Sequence, residues 1–353
     1  MPTRDSLTAS RLKQRWDAYR RENPTVRTRN AADALGVSEA ELVATGEGVT
    51  RLDGGWGALL QEIEPLGEVM ALTRNDACVH EKTGTYRNVK LFESHRMGLV
   101  LDEQIDLQLF LDHWHFGFAV ETPRDSAEDN LQRSLQFFDA DGTAVHKVFL
   151  RKKGNADAYK RLVAKYRHAG AAPEFEVTPR PPVETETPDA EIDRAAFLQA
   201  WTTLKDTHDF FPLLKEHGVS RLQALRLAEG SFAERAPAVS GQQTLQHAAA
   251  TETPIMISVG NPGCIQSHTG PVTRLKESGP WYNVLDPGFN LHLNEERIDA
   301  AWIVRKPTKD GVMTALELFD AGSGLITQFS GEHKPGVPES ETWREIMEAL
   351  PRL

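Results

Sequence analysis

A chain of 353 residues, 40% hydrophobic and 26% charged, has enough apolar material for two buried cores but no apolar run long enough to span a bilayer. Its net charge of −11 argues against general nucleic-acid binding, which needs a concentrated basic face; clusters such as "RKK" at 151–153, with no interleaved aromatic platform, read as solvated faces. Two cysteines, Cys78 and Cys264, are too few for a disulfide framework, and the start "MPTRDSLTASRLKQRW" lacks the apolar centre of a secretory signal, so the expected location is the cytoplasm.

In chain order, "SRLKQRWDAYRRENP" has helical apolar spacing, and "NAADALGVSEAEL" places Ser38 as an N-cap with Glu41 three residues on. Short strand signals follow in "VMALTR", "CVHEKTG", "TYRNVKLF" and "MGLVLD", and the alternating large residues of "LQLFLDHWHFGFAV" read as strand too. "SLQFFDADGTAVHKVFL" reads as a hairpin turning at Asp141-Gly142, and "NADAYKRLVAKYR" as a closing helix. The stretch 171–191, with five prolines and a surplus of acids, reads as an extended linker. Beyond it, Trp201 to Leu227 reads as a helix, a break at Gly218 and a second helix, and "SETWREIMEALPRL" ends the chain helically.

The pattern occurs twice. "MALTRNDACVHEKTG" (70–84) aligns without a gap on "MISVGNPGCIQSHTG" (256–270), so that Asn75 falls on Asn261 and Cys78 on Cys264. "SLQFFDADG" matches "ALELFDAGS", "LGVSEAEL" matches "HGVSRLQAL", and Trp16 matches Trp201. The expected organisation is therefore a first repeat over 1–170, a linker over 171–191 and a second repeat over 192–353. Helices flanking antiparallel strands make each repeat α+β.

Searches for familiar chemistry return little. There is no Walker A loop, no G-x-G-x-x-G after a strand, no H-E-x-x-H and no G-x-S-x-G. His113 and His115 in "DHWHF" share a face if the segment is a strand and could chelate a metal; structural histidines flanking a buried Trp114 are the preferred reading, since no third ligand is nearby. The cysteines sit at equivalent apolar positions and read as small buried hydrophobes.

In "DTHDFFPLLKEHGVSR", Asp206 or Thr207 can cap a helix and Pro212 fits its first turn. His208 would lie at that helix start, and its counterpart in the first repeat is Val26, so one copy alone carries the histidine. It reads either as a capping or surface residue or as a ligand. A neutral imidazole beside aromatics suits axial ligation of a haem iron.

"DTHDFFPLLKEHGVSRLQAL", "GNPGCIQSHTGPV", "WYNVLDPGFNLHL" and "AWIVRKPTKDGVMTALELFDA" resemble the second half of the HemS/ChuS/PhuS (HmuS) family of bacterial haem-degrading and haem-trafficking proteins, and "MALTRNDACVHEKTGTYRNV" and "IDLQLFLDHW" resemble its first half. The resemblance spans nearly the whole chain. It implies two similar α+β repeats, each on a large antiparallel sheet, with b-type haem in a cleft as ligand and, in degrading members, as substrate. It further implies His208 as the axial ligand of the haem iron, Arg221 and Lys306 as partners of the haem propionates, Gln328 as a polar cleft residue and Phe110 as a distal aromatic.

Three positions depart from the family pattern. Gln108, in "DLQLF", stands where the family has a distal arginine, and Ser330 and His333 stand where many members have tyrosine and arginine. A guanidinium donates charged hydrogen bonds where an amide donates neutral ones, so Gln108, the distal candidate for a catalytic role, bears on degradation rather than on binding. The resemblance thus implies haem uptake and utilisation, either by degradation with iron release or by pure chaperoning to a separate haem oxygenase. The implied partners are that oxygenase or the haem-import ATPase complex.

Overall fold

The computed structural model describes residues 9–92, 94, 96–124, 131–169, 176–182, 185–334 and 336–353. The N-terminal stretch 1–8 and the linker residues 171–175 and 183–184 lie outside the described residues. The first half runs α1 (Ala9–Glu22), α2 (Thr28–Leu35), α3 (Glu39–Ala44), β1 (Val49–Leu52), α4 (Trp56–Gln61), β2 (Gly67–Arg74), β3 (Cys78–Gly84), β4 (Val89–Phe92), β5 (Met97–Leu101), β6 (Asp106–Phe110), β7 (Phe116–Pro123), β8 (Leu131–Phe138), β9 (Ala144–Gly154) and α5 (Ala156–Tyr166). The second runs α6 (Arg194–Trp201), α7 (Phe210–His217), α8 (Arg221–Leu227), β10 (Ala233–Ala236), α9 (Ser240–Ala250), β11 (Ile255–Asn261), β12 (Cys264–Gly270), β13 (Leu275–Ser278), β14 (Trp281–Asp286), β15 (Phe289–Asn294), β16 (Ala300–Thr308), β17 (Gly311–Phe319), β18 (Leu325–Gly331) and α10 (Glu341–Ala349). Among the described residues the strands fall into two nine-stranded antiparallel sheets, the duplicated α+β architecture that the sequence leads one to expect. No described helix is long and apolar enough to cross a membrane.

Local chemistry repeats as the sequence does. Gly36 (φ 65°) closes α2 in the left-handed region, and Ser38 opens α3 with a capping box: its Oγ accepts from Glu41 N at 3.2 Å while its own N–H donates to Glu41 Oε2 at 2.8 Å. Gly218 (φ 63°) closes α7, and Ser220 Oγ accepts from Gln223 N at 3.1 Å to open α8. The hairpin turns where expected, with Gly142 at φ 77° and its N–H donating to Asp139 O at 2.9 Å.

Three segments differ from the sequence reading. "LQLFLDHWHFGFAV" is not one strand: β6 stops at Phe110, residues Leu111–His113 form a 3-10 turn, and β7 starts at Phe116. The break lets Trp114 turn inward, where its Nε1–H donates to Gly263 O at 2.8 Å. In "TYRNVKLF" only Val89–Phe92 is strand, because Asn88 adopts a left-handed φ of 54°. In Trp201 to Leu227 the first helix is already ending at Trp201; a loop and a 3-10 turn, Thr207–Asp209, precede α7. Among its described residues the linker is anchored, with Val177 buried and Thr178 N–H donating to Ala140 O at 2.8 Å, and it ends in a 3-10 turn over Asp189–Glu191.

The chain forms two compact units, and their limits differ from a cut at the linker. The first comprises Met1–Thr73, Lys82–Pro181 and Asn261–Ile265; the second comprises Arg74–Glu81, Pro182–Gly260 and Gln266–Leu353. In the first, β1-β7-β8-β9-β2 and β4-β5-β6 form antiparallel ladders around a core that includes Leu59, Trp114, Leu135, Phe137, Tyr159 and Cys264. In the second, β10-β16-β17-β18-β11 and β13-β14-β15 surround Ile257, Leu291, Ile303, Leu316, Trp343 and Cys78. Both cysteines are fully buried and free, and burial pushes each thiol pKa up, as suits small core hydrophobes.

The repeated asparagine explains itself in each unit. Asn75 Oδ1 accepts from Ala77 N and Cys78 N at 3.0 and 2.8 Å, while its Nδ2 donates to Gly260 O and Ile326 O. Asn261 Oδ1 accepts from Gly263 N and Cys264 N at 3.0 and 3.1 Å, and its Nδ2 donates to Val145 O. One side chain thus closes the turn and ties it to the neighbouring backbone, which neither a hydrocarbon nor a charge could do.

Candidate functional site

The second unit gathers four of the residues singled out from sequence around its first helices. Trp201, fully buried at the end of α6, donates from Nε1 to Arg305 O at 3.1 Å and stacks on Phe232 with ring centroids 5.3 Å apart. Phe210, the first residue of α7, meets the Trp201 ring edge-on at 4.7 Å. Those contacts fix the segment that carries His208, two residues earlier.

His208 sits in the 3-10 turn, which Asp206 and Asp209 close with a capping box. Asp206 Oδ1 accepts from the His208 backbone N–H at 3.0 Å and lies 2.6 Å from its Nδ1. The bonds from His208 hold the Asp206 carboxyl below its usual range, so it stays ionised and draws the ring proton to Nδ1. Nε2 then carries the lone pair, and the side chain is 77% exposed. Three residues on, Phe211 is 72% exposed, unusual for a phenylalanine and suited to covering an apolar ligand face.

Arg221, Lys306 and Gln328 meet around a residue that the sequence reading missed, Glu317. Arg221 opens α8, while Lys306, Glu317 and Gln328 lie on β16, β17 and β18. Arg221 donates Nε to Glu317 Oε2 at 2.6 Å and Nη2 to Oε1 at 2.7 Å; Lys306 Nζ donates to the same Oε1 at 2.9 Å. Arg221 Nη2 also donates to Gln328 Oε1 at 2.9 Å. The Phe210 ring lies under both cations, 4.3 Å from Lys306 Nζ and 5.5 Å from the Arg221 guanidinium carbon.

Burial would raise the Glu317 pKa, but Arg221 and then Lys306 outweigh it and hold the carboxyl below its ordinary range. Burial pushes the Lys306 ammonium down, and neighbouring Arg221 adds to that, against the pull of Glu317. Burial also opposes the Arg221 charge, but Glu317 wins and raises its pKa. Two cations against one carboxylate leave the cluster with one net positive charge. Glu317 was legible as a difference between repeats: its counterpart in "SLQFF" is Gln136.

Ser330 and His333 belong to the second unit, and the remaining candidates to the first. Ser330 is buried on β18, on the strand face it shares with Gln328, and His333 is exposed just beyond the strand. Gln108 and Phe110 belong to the first unit, half-buried on one face of β6 and alternating with buried Leu107 and Leu109. His113 and His115, also in the first unit, face the two oxygens of Asp139 at 3.0 and 3.3 Å and flank the buried Trp114. Among the described residues no group of three or more His, Cys, Asp or Glu is placed to hold a metal ion.

The donor set of the second unit fits a flat, apolar, iron-bearing ligand with a carboxylate edge: an imidazole nitrogen freed by a carboxylate behind it, an exposed phenyl face and a net positive cluster.

Comparison with known proteins finds the haemin-degrading HemS.ChuX domain twice in this chain, at residues 36–166 and 218–350. The chain is 37% identical over 343 residues to the hemin transport protein HmuS of Yersinia pestis, covering 96% of this chain and 97% of that protein. It is similar to holo-PhuS, a heme-binding protein from Pseudomonas aeruginosa, with a TM-score of 0.94 and 45% identity over 98% of this chain and 100% of that one. It is also similar to the Escherichia coli O157:H7 heme degrading enzyme ChuS, with a TM-score of 0.88 and 32% identity over 97% of this chain and 99% of that one.

Proposed function

The chain belongs to the haemin-degrading HemS family, and from that premise we propose that it binds b-type haem through His208 and serves haem uptake and utilisation in the cytoplasm. The observation that carries this reading is the Asp206–His208 pair. A carboxylate on Nδ1 orients the ring and leaves Nε2 as the ligating nitrogen of an exposed side chain, three residues before the exposed Phe211. Arg221 and Lys306 supply the positive charge for a propionate, and Gln328 orients the guanidinium. When bound, haem supplies the iron redox chemistry; the chain's own residues ligate, orient and balance charge.

Relatives described as a heme degrading enzyme and as a hemin transport protein set out two fates for the haem. In the first, haem is the substrate: with reductant and oxygen or peroxide the macrocycle opens, releasing iron and a linear tetrapyrrole, with Gln108 and Phe110 as the distal residues. In the second, haem is cargo passed from an import ATPase complex to a separate haem oxygenase. The amide of Gln108, in place of a guanidinium, favours carriage, because its hydrogen bonds are neutral and weaker.

Titrating haem into the wild type and His208→Ala tests the ligand. A Soret shift in the first and a weak or altered one in the second is expected; identical spectra would remove His208 as the ligand. Product analysis of the haem complex with reductant and catalase separates the fates. A linear tetrapyrrole formed despite catalase marks an enzyme, and haem loss that stops with catalase marks a carrier.

A further inference from the structure

Each unit joins the first residue after its helix-capping serine to the sheet by a buried ion pair, with an acid on the helix in the first and a base in the second. In the first, Glu39 at the start of α3 accepts from Lys147 of β9 at 2.5 Å, and Lys147 lies 5.8 Å from the Phe138 ring centroid. In the second, the position of Glu39 is Arg221, that of Lys147 is Gln328, and that of Gln136 is Glu317. Lys306, on β16, stands at the register of Thr122 on β7. The first pair is neutral. The second unit adds a cation, and Glu317 removes one charge from two.

Glu317 also takes up the hydrogen bonds of those cations. Both its oxygens are engaged, it is fully buried, and it occupies the Nε–Nη2 edge of Arg221. Nη1 makes no hydrogen bond among the described residues, and Arg221 keeps 29% of its side-chain surface exposed, whereas Lys306 keeps 6%. An anion therefore meets Arg221 first, backed by a lysine that it cannot reach directly.

We propose that Glu317 is a specificity-determining residue, an internal counter-ion that limits the Arg221–Lys306 cluster to one carboxylate and holds its affinity for haem propionates down. The proposal rests on the haem reading above. Its chemistry is charge counting in a buried place, where each added or removed charge acts at short range with little screening. A competing internal carboxylate keeps the site poised without ligand and makes release easier, because Glu317 reclaims the cations as the propionate leaves.

The test compares affinities for haem and haem dimethyl ester, which lacks the carboxylates, by Soret titration of the full chain at pH 7. The acid-to-ester affinity ratio is the readout, since a merely structural role moves stability and both ligands alike. Wild type, with one net charge, should prefer the acid by roughly tenfold. Glu317→Gln should raise that preference by roughly another tenfold. Lys306→Met, with no net charge, should bring the ratio close to one. Glu317→Gln combined with Lys306→Met restores one charge and should return the wild-type ratio. Should Glu317→Gln fail to fold, Lys306→Met and the double variant still decide. A ratio that is unchanged or lower in Glu317→Gln, or unchanged in Lys306→Met, overturns the proposal. A wild type that shifts the Soret band of neither ligand overturns instead the haem reading beneath it.

Discussion

Asp206 Oδ1 binds His208 twice, through the backbone N–H at 3.0 Å and at 2.6 Å from Nδ1, so one carboxylate both builds the turn and sets the imidazole. Asp206→Asn keeps the turn acceptor but removes the charge behind the ring. Haem affinity is expected to fall about tenfold to a hundredfold, the usual effect of losing an outer partner of a metal ligand. Soret titration reads it, and an unchanged affinity would mean that Asp206 only caps the turn.

Gln108 lies half-buried on β6, on the face it shares with Phe110. If distal charge limits oxygen chemistry, Gln108→Arg should increase the rate of ascorbate- or peroxide-driven haem loss by about tenfold or more. The decay of the Soret band measures this. The same rate and product in both proteins would rule out distal charge as the limit.

The first unit contains an acid-sensitive point of its own. His146 is buried, its Nε2 hydrogen-bonded with the Tyr86 hydroxyl at 2.5 Å and its Nδ1 lying 2.8 Å from Thr73 Oγ1. Burial pushes its pKa from 6.5 down to about 3. Below pH 6.5 the unfolded chain takes up a proton that the folded chain refuses, so stability is full above that value and declines as pH falls toward 3, by about 1.4 kcal/mol per pH unit at most. Urea midpoints should therefore fall between pH 6.5 and 4.5, and His146→Gln should flatten that limb. Below about pH 4.5 a second loss begins, because Glu317 stays ionised in the fold while its unfolded form protonates. A His146→Gln profile parallel to wild type above pH 4.5 would place the sensitivity elsewhere.

Trp201 underlies Phe210, and Phe210 lies beneath both cations. Trp201→Ala should cost about 3–5 kcal/mol of stability. In the fraction that remains folded, haem binding should weaken as well, since the floor of the cluster shifts. Denaturant melts paired with Soret titration check both, and a destabilised variant with wild-type haem affinity would uncouple the floor from the site.

Much of this was legible in the sequence because it is written in local chemistry. Ser38 and Glu41 announce a capping box, Gly36 and Gly218 announce left-handed helix ends, and the Oδ1 bonds of Asn75 and Asn261 mark the same turn twice, each of these a contact a few residues long. "LQLFLDHWHFGFAV" misled because alternation of large residues does not reveal that Trp114 must turn inward to reach Gly263, far along the chain.

The duplication, the α+β class and the lack of a first-copy counterpart to His208, where Val26 stands, are all carried by the order of residues alone. What the charges do depends on folding. Arg221, Lys306 and Glu317 come from a helix and two strands, and their meaning changes when one carboxylate is found to hold both cations. The same holds for the two compact units, which trade the segments Arg74–Glu81 and Asn261–Ile265. Charge balance and burial are properties of groups brought together from distant positions, and no local pattern records which carboxylate reaches which cation.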